Sequence, residues 1–130
     1  MEYEFIDIIA CMPDEMRERF LIEASRSPKA GIRCEVAQCR YTSPEILGQL
    51  AYDTEVYVRW GVAENPNTLI RDIIYLSKDD DYGVRLGVVC NENTPIEIIK
   101  KLMADKEKEV YEMAREEFAR RTKQEEVRYV

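Results

Sequence analysis

Apolar and polar positions in this sequence recur at a step of 26 residues through the middle of the chain. At this step an apolar residue precedes an arginine, and a leucine precedes an aspartate by three positions. The rows consist of Ile32-Arg33, Val58-Arg59 and Val84-Arg85, of Leu50, Leu76 and Leu102, and of Asp53, Asp79 and Asp105. A unit of this length cannot bury an apolar face alone and must pack on its neighbours. The period therefore predicts stacked units that share one continuous interior.

The spacing within each unit predicts two short helices. Apolar residues three positions apart form a seam on the first helix, namely Leu47 with Leu50, Ile73 with Leu76 and Ile99 with Leu102. N-terminal caps for these first helices are predicted at Ser43, Thr68 and Thr94. Glu97 is predicted to complete a capping box with the last of them. The second helix follows an acidic loop and is expected to end where Asn65 or Asn91 adopts the left-handed conformation.

These features predict an all-α fold, a short right-handed α-solenoid of stacked two-helix repeats with polar caps at both ends. The length of 130 residues fits one domain. We expect an N-terminal cap and first helix over 1–30, three 26-residue repeats over 31–106, and a C-terminal capping helix and tail over 107–130. Within the first part, residues 14–25 match the first-helix pattern. The apolar segment 3–11 is either a helix or an extended lid, and a helix is favoured.

Charge restricts the partners of the protein. The chain contains 26 acidic and 19 basic residues, which gives a formal net charge of −7. Nucleic acids and anionic membranes attract clustered cations, so this balance argues against both. There is no run of about 18 apolar residues, and the N-terminus is acidic where a secretory signal would be basic. We therefore expect a cytoplasmic protein whose partner has a basic or neutral surface.

The four cysteines, at positions 11, 34, 39 and 90, occur in a chain without histidine. No CxxC pair is present, and Cys34 and Cys39 would point in different directions on a helix, which does not suit a zinc site. We expect free, buried thiols in a reducing compartment and no metal or cofactor.

The segment from Val58 to Thr68, with the sequence Val-Arg-Trp-Gly-Val-Ala-Glu-Asn-Pro-Asn-Thr, is followed by Leu76 and Asp79. It resembles the leucine-rich repeat variant family and, more distantly, HEAT repeats, and the resemblance covers about residues 31–121. The chain departs from the variant family in its 26-residue step, which is slightly longer than usual, and in Tyr111, which replaces the expected arginine. Some members of that family bind an iron–sulfur cluster through closely grouped N-terminal cysteines. This sequence has no such group, so that cofactor is not carried over.

The resemblance also implies functions. HEAT-like proteins mostly bind other proteins, and one branch binds and repairs DNA. Similarity of fold supplies an expectation about function and does not establish it.

One arginine per unit is expected to line up along the stack. In HEAT repeats an Asp-(x5)-Arg element, similar to the one from Asp53 to Arg59, joins neighbouring units. The first interpretation is therefore a structural ladder of bidentate ion pairs, made by Arg33, Arg59 and Arg85 with Asp53, Asp79 and Asp105. The alternative is a row of guanidinium groups that follows nucleic-acid phosphates, and the excess of acidic residues argues against it.

A second row is formed by Cys34, Trp60 and Leu86, each two residues after a core position. Two helical residues correspond to about 200°, so this row faces away from the core seam. Trp60, with Tyr57 one turn earlier, is either an aromatic anchor for a partner or a residue packed against the neighbouring helix. The candidate partner-binding residues are Tyr57, Trp60, Glu64 and Leu86.

Signatures of catalysis are missing from the sequence. It contains no histidine, no glycine-rich phosphate loop and no nucleophile elbow. The predicted function is therefore non-enzymatic binding of another protein, through the inner face of the stack, by a monomer or weak homodimer. Two alternatives stay open: nucleic-acid binding through the arginine row, and a repeat protein that binds a metal or cofactor.

Overall fold

The computed structural model describes residues 4–128, with side chains described through residue 123, and this range is helical without any strand. The fold class is therefore all-α, as the sequence predicts. The last two residues of the predicted C-terminal tail lie outside the described residues. The nine helices of the described range are α1 Phe5–Ala10, α2 Asp14–Ser25, α3 Ala30–Gln38, α4 Pro44–Leu50, α5 Val56–Glu64, α6 Ile70–Leu76, α7 Tyr82–Cys90, α8 Ile96–Leu102 and α9 Lys108–Arg128.

The sequence period reappears in the positions at which the helices begin. Two sets start at steps of 26 residues: α3, α5, α7 and α9 at residues 30, 56, 82 and 108, and α4, α6 and α8 at residues 44, 70 and 96. Most of these helices have only seven or nine residues. Isolated helices shorter than about 12 residues are marginal in water, so packing between helices must stabilise them.

The helices pack in two layers. In the front layer, defined here as α3, α5, α7 and α9, each helix packs against the next one. In the back layer, defined as α4, α6 and α8, each helix packs on two helices of the front layer. The interior between the layers contains the predicted rows, because Leu50, Leu76 and Leu102 belong to one buried cluster together with Leu47, Ile73 and Ile99.

The N-terminal segment is helical where the structure describes it. Residues 5–10 form α1, in agreement with the favoured alternative, and residues 14–25 form α2 as predicted. Arg17 joins these two helices because its guanidinium donates hydrogen bonds to the carbonyl oxygens of Ile9 (3.0 Å) and Met12 (3.0 Å) at the end of α1. The same guanidinium lies 4.1 Å from the ring centroid of Tyr41.

Threonine does not cap the helices that follow it. The hydroxyl groups of Thr68 and Thr94 each donate a 2.6 Å hydrogen bond to a carbonyl oxygen six residues earlier, in the preceding helix. The N-caps of α6 and α8 are Leu69 and Pro95, neither of which makes a side-chain cap. The predicted caps at Thr68 and Thr94, and the capping box with Glu97, are therefore wrong. The hydroxyl hydrogen instead gives a second hydrogen bond to a carbonyl near the end of the previous helix, which also accepts from the backbone N–H of Asn65 or Asn91.

The predicted cap at Ser43 is confirmed. Its Oγ accepts a hydrogen bond from the backbone N–H of Ile46 at 3.4 Å, and Pro44 occupies the first helical position of α4. Proline suits this position because its missing N–H would have no intrahelical partner there.

Asparagine ends the front-layer helices by a different mechanism from the predicted one. Asn65 and Asn91 have extended backbone conformations, with φ of −73° and −76°, so the predicted left-handed caps are wrong. Both side chains are buried, and each amide reaches back to the preceding unit. Asn65 Nδ2 donates to the carbonyl oxygens of Ala37 (2.8 Å) and Cys39 (2.9 Å). The two N–H donors of the asparagine amide thus bind two carbonyls at the end of the neighbouring unit, and that of Cys39 also accepts from the backbone N–H of Thr42.

Candidate functional site

An open groove of about 460 Å³ lies between α5 and α7 of the front layer. Three of its aromatic side chains are substantially exposed: Tyr57 by 68%, Tyr82 by 47% and Trp60 by 37%. Exposed aromatic rings that converge on one concavity are typical anchors for a partner. The residues that line this aromatic groove are Val56, Tyr57, Trp60, Asp81, Tyr82, Gly83 and Leu86.

Trp60 both packs and faces the groove. A Cβ built on Gly87 would stand 2.7 Å from Trp60 Cδ1 and 3.0 Å from Ala63 Cβ, so the indole lies directly on the backbone of α7. The remaining surface of the ring is exposed to the groove. The two interpretations of Trp60, anchor and packed residue, each describe one part of the ring. Packing against Gly87 fixes the position of the indole before any partner binds, which lowers the entropic cost of binding.

Tyr57 extends further into solvent than Trp60. The two ring centroids are 6.4 Å apart, and the ring planes are inclined by 52°. The backbone carbonyl of Tyr57 accepts a hydrogen bond from Cys34 Sγ at 3.7 Å. Burial, followed by the charge of Glu35, raises the pKa of Cys34, so the thiol keeps the proton that it donates. The hydrogen bond from Cys34 to Tyr57 therefore connects α3 to α5 below the groove.

The structure brings together three of the four predicted partner-binding residues. Tyr57, Trp60 and Leu86 line the aromatic groove, whereas Glu64 is exposed near the end of α5 and does not line it. Sequence reasoning missed Tyr82 and Gly83. Gly83 occupies the position of Tyr57 one period later and Tyr82 that of Val56, so neither residue continues a row that the period could reveal.

One acidic side chain lines the aromatic groove, and two more lie at the ends of α5. Asp81 lines it and also caps α7, since its Oδ1 accepts from the N–H of Gly83 at 2.8 Å and of Val84 at 3.3 Å. Glu55 precedes α5 and Glu64 ends it, and both are exposed. The groove therefore combines an apolar floor with the negative charge of Asp81.

The arginine row forms bidentate ion pairs with the aspartate row. The Nε atoms of the arginines lie 2.8–2.9 Å from the carboxylate oxygens in the pairs Arg33 with Asp53, Arg59 with Asp79 and Arg85 with Asp105. Each Nη2 donates a second hydrogen bond to the same carboxylate. In addition, Nη1 of each arginine donates to a carbonyl oxygen in the preceding loop, as Arg59 does to Asp53 at 2.9 Å. Every arginine thus joins the loop before its own helix to the loop before the next helix of the front layer.

These contacts raise the pKa of the three arginines and lower the pKa of Asp53 and Asp105. A hydrogen bond to its aspartate raises the pKa of each arginine, against the opposing effect of burial. Burial disfavours the charged forms of Asp53 and Asp105, but hydrogen bonds from Arg33 and Arg85 and from backbone N–H groups outweigh it and lower their pKa. The guanidinium donors of the row are therefore engaged within the protein. Tyr111 occupies the next position of the row. The guanidinium carbon of Arg115 lies 4.5 Å from the centroid of its ring.

The cysteines are free, but most of them are not buried. Cys39 is buried as predicted, whereas Cys34 is half-buried and Cys11 and Cys90 are exposed. The prediction of buried thiols is wrong for Cys11, which follows the end of α1, and for Cys90, which ends α7 on its exposed face. Within residues 4–123, no group of three cysteine or carboxylate side chains is arranged to hold a metal ion.

Comparison with protein-family models, with curated proteins and with solved structures finds no significant match. In the part of the chain that the structure describes, no helix combines the length and apolar character needed to cross a membrane.

Proposed function

We propose that this chain is a short right-handed α-solenoid of the HEAT-like kind, related to the leucine-rich repeat variant family, and that it binds another protein through the aromatic groove. Two observations support the architecture: helices begin at steps of 26 residues in both layers, and each helix of the front layer packs on the next one. Solenoids of this type present continuous surfaces built from equivalent positions of successive units.

The observation that carries the binding function is the exposure of Tyr57, Trp60 and Tyr82 in one groove. Energetic anchors at protein interfaces are enriched in tryptophan and tyrosine, because a large ring buries much area at little conformational cost. Only part of Trp60 is used in packing on Gly87. The rest of the ring is available to a partner in a position that is already fixed.

The negative charge of the protein favours a partner segment that carries basic residues. Asp81 lines the groove, the exposed Glu55 and Glu64 lie at the two ends of α5, and the whole chain has a net charge of −7. The occupant that we propose is a segment of another protein that inserts an apolar or aromatic side chain between Tyr57 and Tyr82 and carries lysine or arginine beside it. Opposite charges at the rim accelerate and orient such an encounter.

The ion pairs of the arginine row favour a protein over nucleic acid as the partner. A row that follows phosphates needs free guanidinium donors, whereas Arg33, Arg59 and Arg85 already bind carboxylates and backbone carbonyls. The binding proposed here is not catalytic.

The proposal is tested by selecting peptides from a displayed random library against the intact immobilised chain. Binding of each selected peptide is then measured by Trp60 fluorescence and by calorimetry. We expect peptides with basic and apolar residues, whose affinity falls about tenfold or more with Tyr57→Ala and also falls with added salt. Tyr57 is mostly exposed, so the free energy of unfolding should change by less than about 0.5 kcal/mol.

The matched control is Phe20→Ala. Phe20 is 39% exposed on α2, close to the exposure of Trp60, and it lies away from the groove. This substitution should leave peptide affinity unchanged. Peptides that bind the Tyr57→Ala and wild-type chains equally, or a selection that yields no binder, would contradict the proposed function.

A further inference from the structure

Aromatic rings outside the groove lie next to cations of the same chain. The guanidinium carbon of Arg17 is 4.1 Å from the ring centroid of Tyr41, and that of Arg115 is 4.5 Å from the ring centroid of Tyr111. The face of an aromatic ring is electron-rich and attracts a cation at distances up to about 6 Å. In these two places the protein covers a ring with its own guanidinium group.

The rings of the aromatic groove are left without such a cation. Within residues 4–123, no arginine or lysine lies over Tyr57, Trp60 or Tyr82, although each of these side chains is at least 37% exposed. Their faces are therefore accessible to a cation that comes from another molecule.

Asp81 places a carboxylate in the same groove. The residue is half-buried, and its Oδ1 accepts from the N–H groups of Gly83 and Val84 at the start of α7. No donor within the described side chains binds the second oxygen, Oδ2. Arg85 contacts the same loop, but it does so through backbone carbonyl oxygens and pairs with Asp105. A carboxylate with one oxygen unused favours a cation that can donate hydrogen bonds.

We infer that the aromatic groove binds an arginine side chain of the partner, whose guanidinium group stacks on the exposed rings and donates to Asp81 Oδ2. This inference rests on the function proposed above and specifies the basic residue of the partner segment. Val56 and Leu86 also line the groove and offer apolar surface to the methylene stem of the arginine.

The groove suits arginine better than other cations. A guanidinium group is planar, stacks on aromatic rings and is more weakly hydrated than an ammonium group, so it loses less when it leaves water. Lysine carries the same charge but lacks the flat surface. A quaternary ammonium group would bind the rings, but it has no hydrogen to donate to Asp81.

The test uses the peptides that are selected against the intact chain, each synthesised in three forms that differ at one basic residue. The first form has arginine, the second has lysine, and the third has citrulline, which keeps the shape of arginine without its charge. We expect calorimetry at a fixed ionic strength to show binding about fivefold weaker for the lysine form and about tenfold weaker or more for the citrulline form.

A change in the protein tests the role of the carboxylate. Asp81→Asn removes the charge but keeps an oxygen that can cap α7, and circular dichroism would verify that the helix content is retained. It should weaken binding of the arginine form about tenfold and leave binding of the citrulline form within about twofold.

Asp80→Asn is the matched control for this variant. Asp80 is the preceding residue, is exposed and does not line the groove, so its substitution makes the same change in net charge outside the site. The affinity of the arginine form should change by less than about twofold.

The outcomes separate this inference from the proposed function. Peptides that depend on Tyr57 but contain no arginine, or that bind equally well in the arginine and lysine forms, would overturn the inference and leave the proposed function intact. Equal effects of Asp81→Asn and Asp80→Asn would also overturn it. A selection without any Tyr57-dependent peptide would contradict both.

Discussion

The indole of Trp60 lies directly over the backbone of Gly87, and a Cβ on Gly87 would stand 2.7 Å from Trp60 Cδ1. The same Cβ would stand 3.0 Å from Ala63 Cβ, which cannot move without moving α5. A hydrogen at position 87 is therefore a condition for the close approach of the two helices that form the aromatic groove.

We predict that Gly87→Ala lowers the free energy of unfolding by about 1–2 kcal/mol, because the cost of overpacking exceeds the gain in helix propensity. Gly31→Ala is the matched control, since no atom lies within 4 Å of the Cβ position of Gly31 on α3. It should leave stability unchanged or raise it by up to about 1 kcal/mol. Urea titration measures the free energy of unfolding of both variants. Equal changes in the two variants would show that α5 and α7 are not in close contact.

A second prediction concerns the asparagine that connects two units of the front layer. Asn91 Nδ2 donates to the carbonyl oxygens of Ala63 (2.9 Å) and Asn65 (3.0 Å) in a buried environment. Asn91→Ala leaves both carbonyls without this donor, and we expect a loss of about 2–3 kcal/mol in urea unfolding. Asn93 donates to the carbonyl of Pro66 at an exposed site, so Asn93→Ala should cost less than about 1 kcal/mol. Similar losses for the two variants would contradict this account.

The third prediction is a dependence of stability on pH. Hydrogen bonds from Arg85 lower the pKa of Asp105 in the folded chain despite its burial, whereas the unfolded aspartate has a pKa of about 3.9. The unfolded state therefore binds more protons in acid. The stability that this group contributes is complete above the unfolded pKa and disappears as pH falls through the folded pKa.

Urea midpoints measured between about pH 7 and about pH 3 should fall for the wild-type chain, and they should fall less steeply for Asp105→Asn. Asp105→Asn should also be less stable at neutral pH, because it removes the charged acceptor of Arg85. The exposed Asp80 supplies the control: Asp80→Asn should retain the acid dependence of the wild type. Parallel curves for Asp105→Asn and the wild type would argue against this role of the ion pair.

The fourth prediction is that Asp72→Ile stabilises the fold. Isoleucine occupies the equivalent positions of α4 and α8, and Asp72 Oδ2 has no hydrogen bond to lose. We expect a gain of about 1–3 kcal/mol in thermal and urea unfolding. Asp72→Asn, which removes the charge but keeps a buried polar group, should gain less. A loss of stability with Asp72→Ile would indicate that the carboxylate has a partner in solution.

The sequence period was sufficient to predict the helical class and the buried leucine row. These features follow from the spacing of apolar residues alone. The roles of threonine and asparagine were predicted wrongly because a hydroxyl or a side-chain amide can both donate and accept hydrogen bonds. Thr94 can accept from the next helix or donate to the previous one, and the order of residues does not distinguish the two.

The aromatic groove was predicted in part. Trp60 and Leu86 were found because they recur in register on the exposed side of the helices, and Tyr57 because it lies one turn before Trp60. Tyr82 stands in the row of Val56, a residue without an obvious role. Its ring lines the groove between α5 and α7. Such a neighbour is set by the distance between two helices, which sequence spacing alone does not specify.

The arginine row affects how the protein unfolds locally. Arg59 ties the loop before α5 to the loop before α7, while Asn91 reaches from the end of α7 back to α5. Since successive units share these ties in both directions, a single unit cannot detach without also breaking its neighbours. Amide protons of α5 and α7 should therefore exchange with deuterium as one cooperative block, with a common opening free energy, rather than helix by helix.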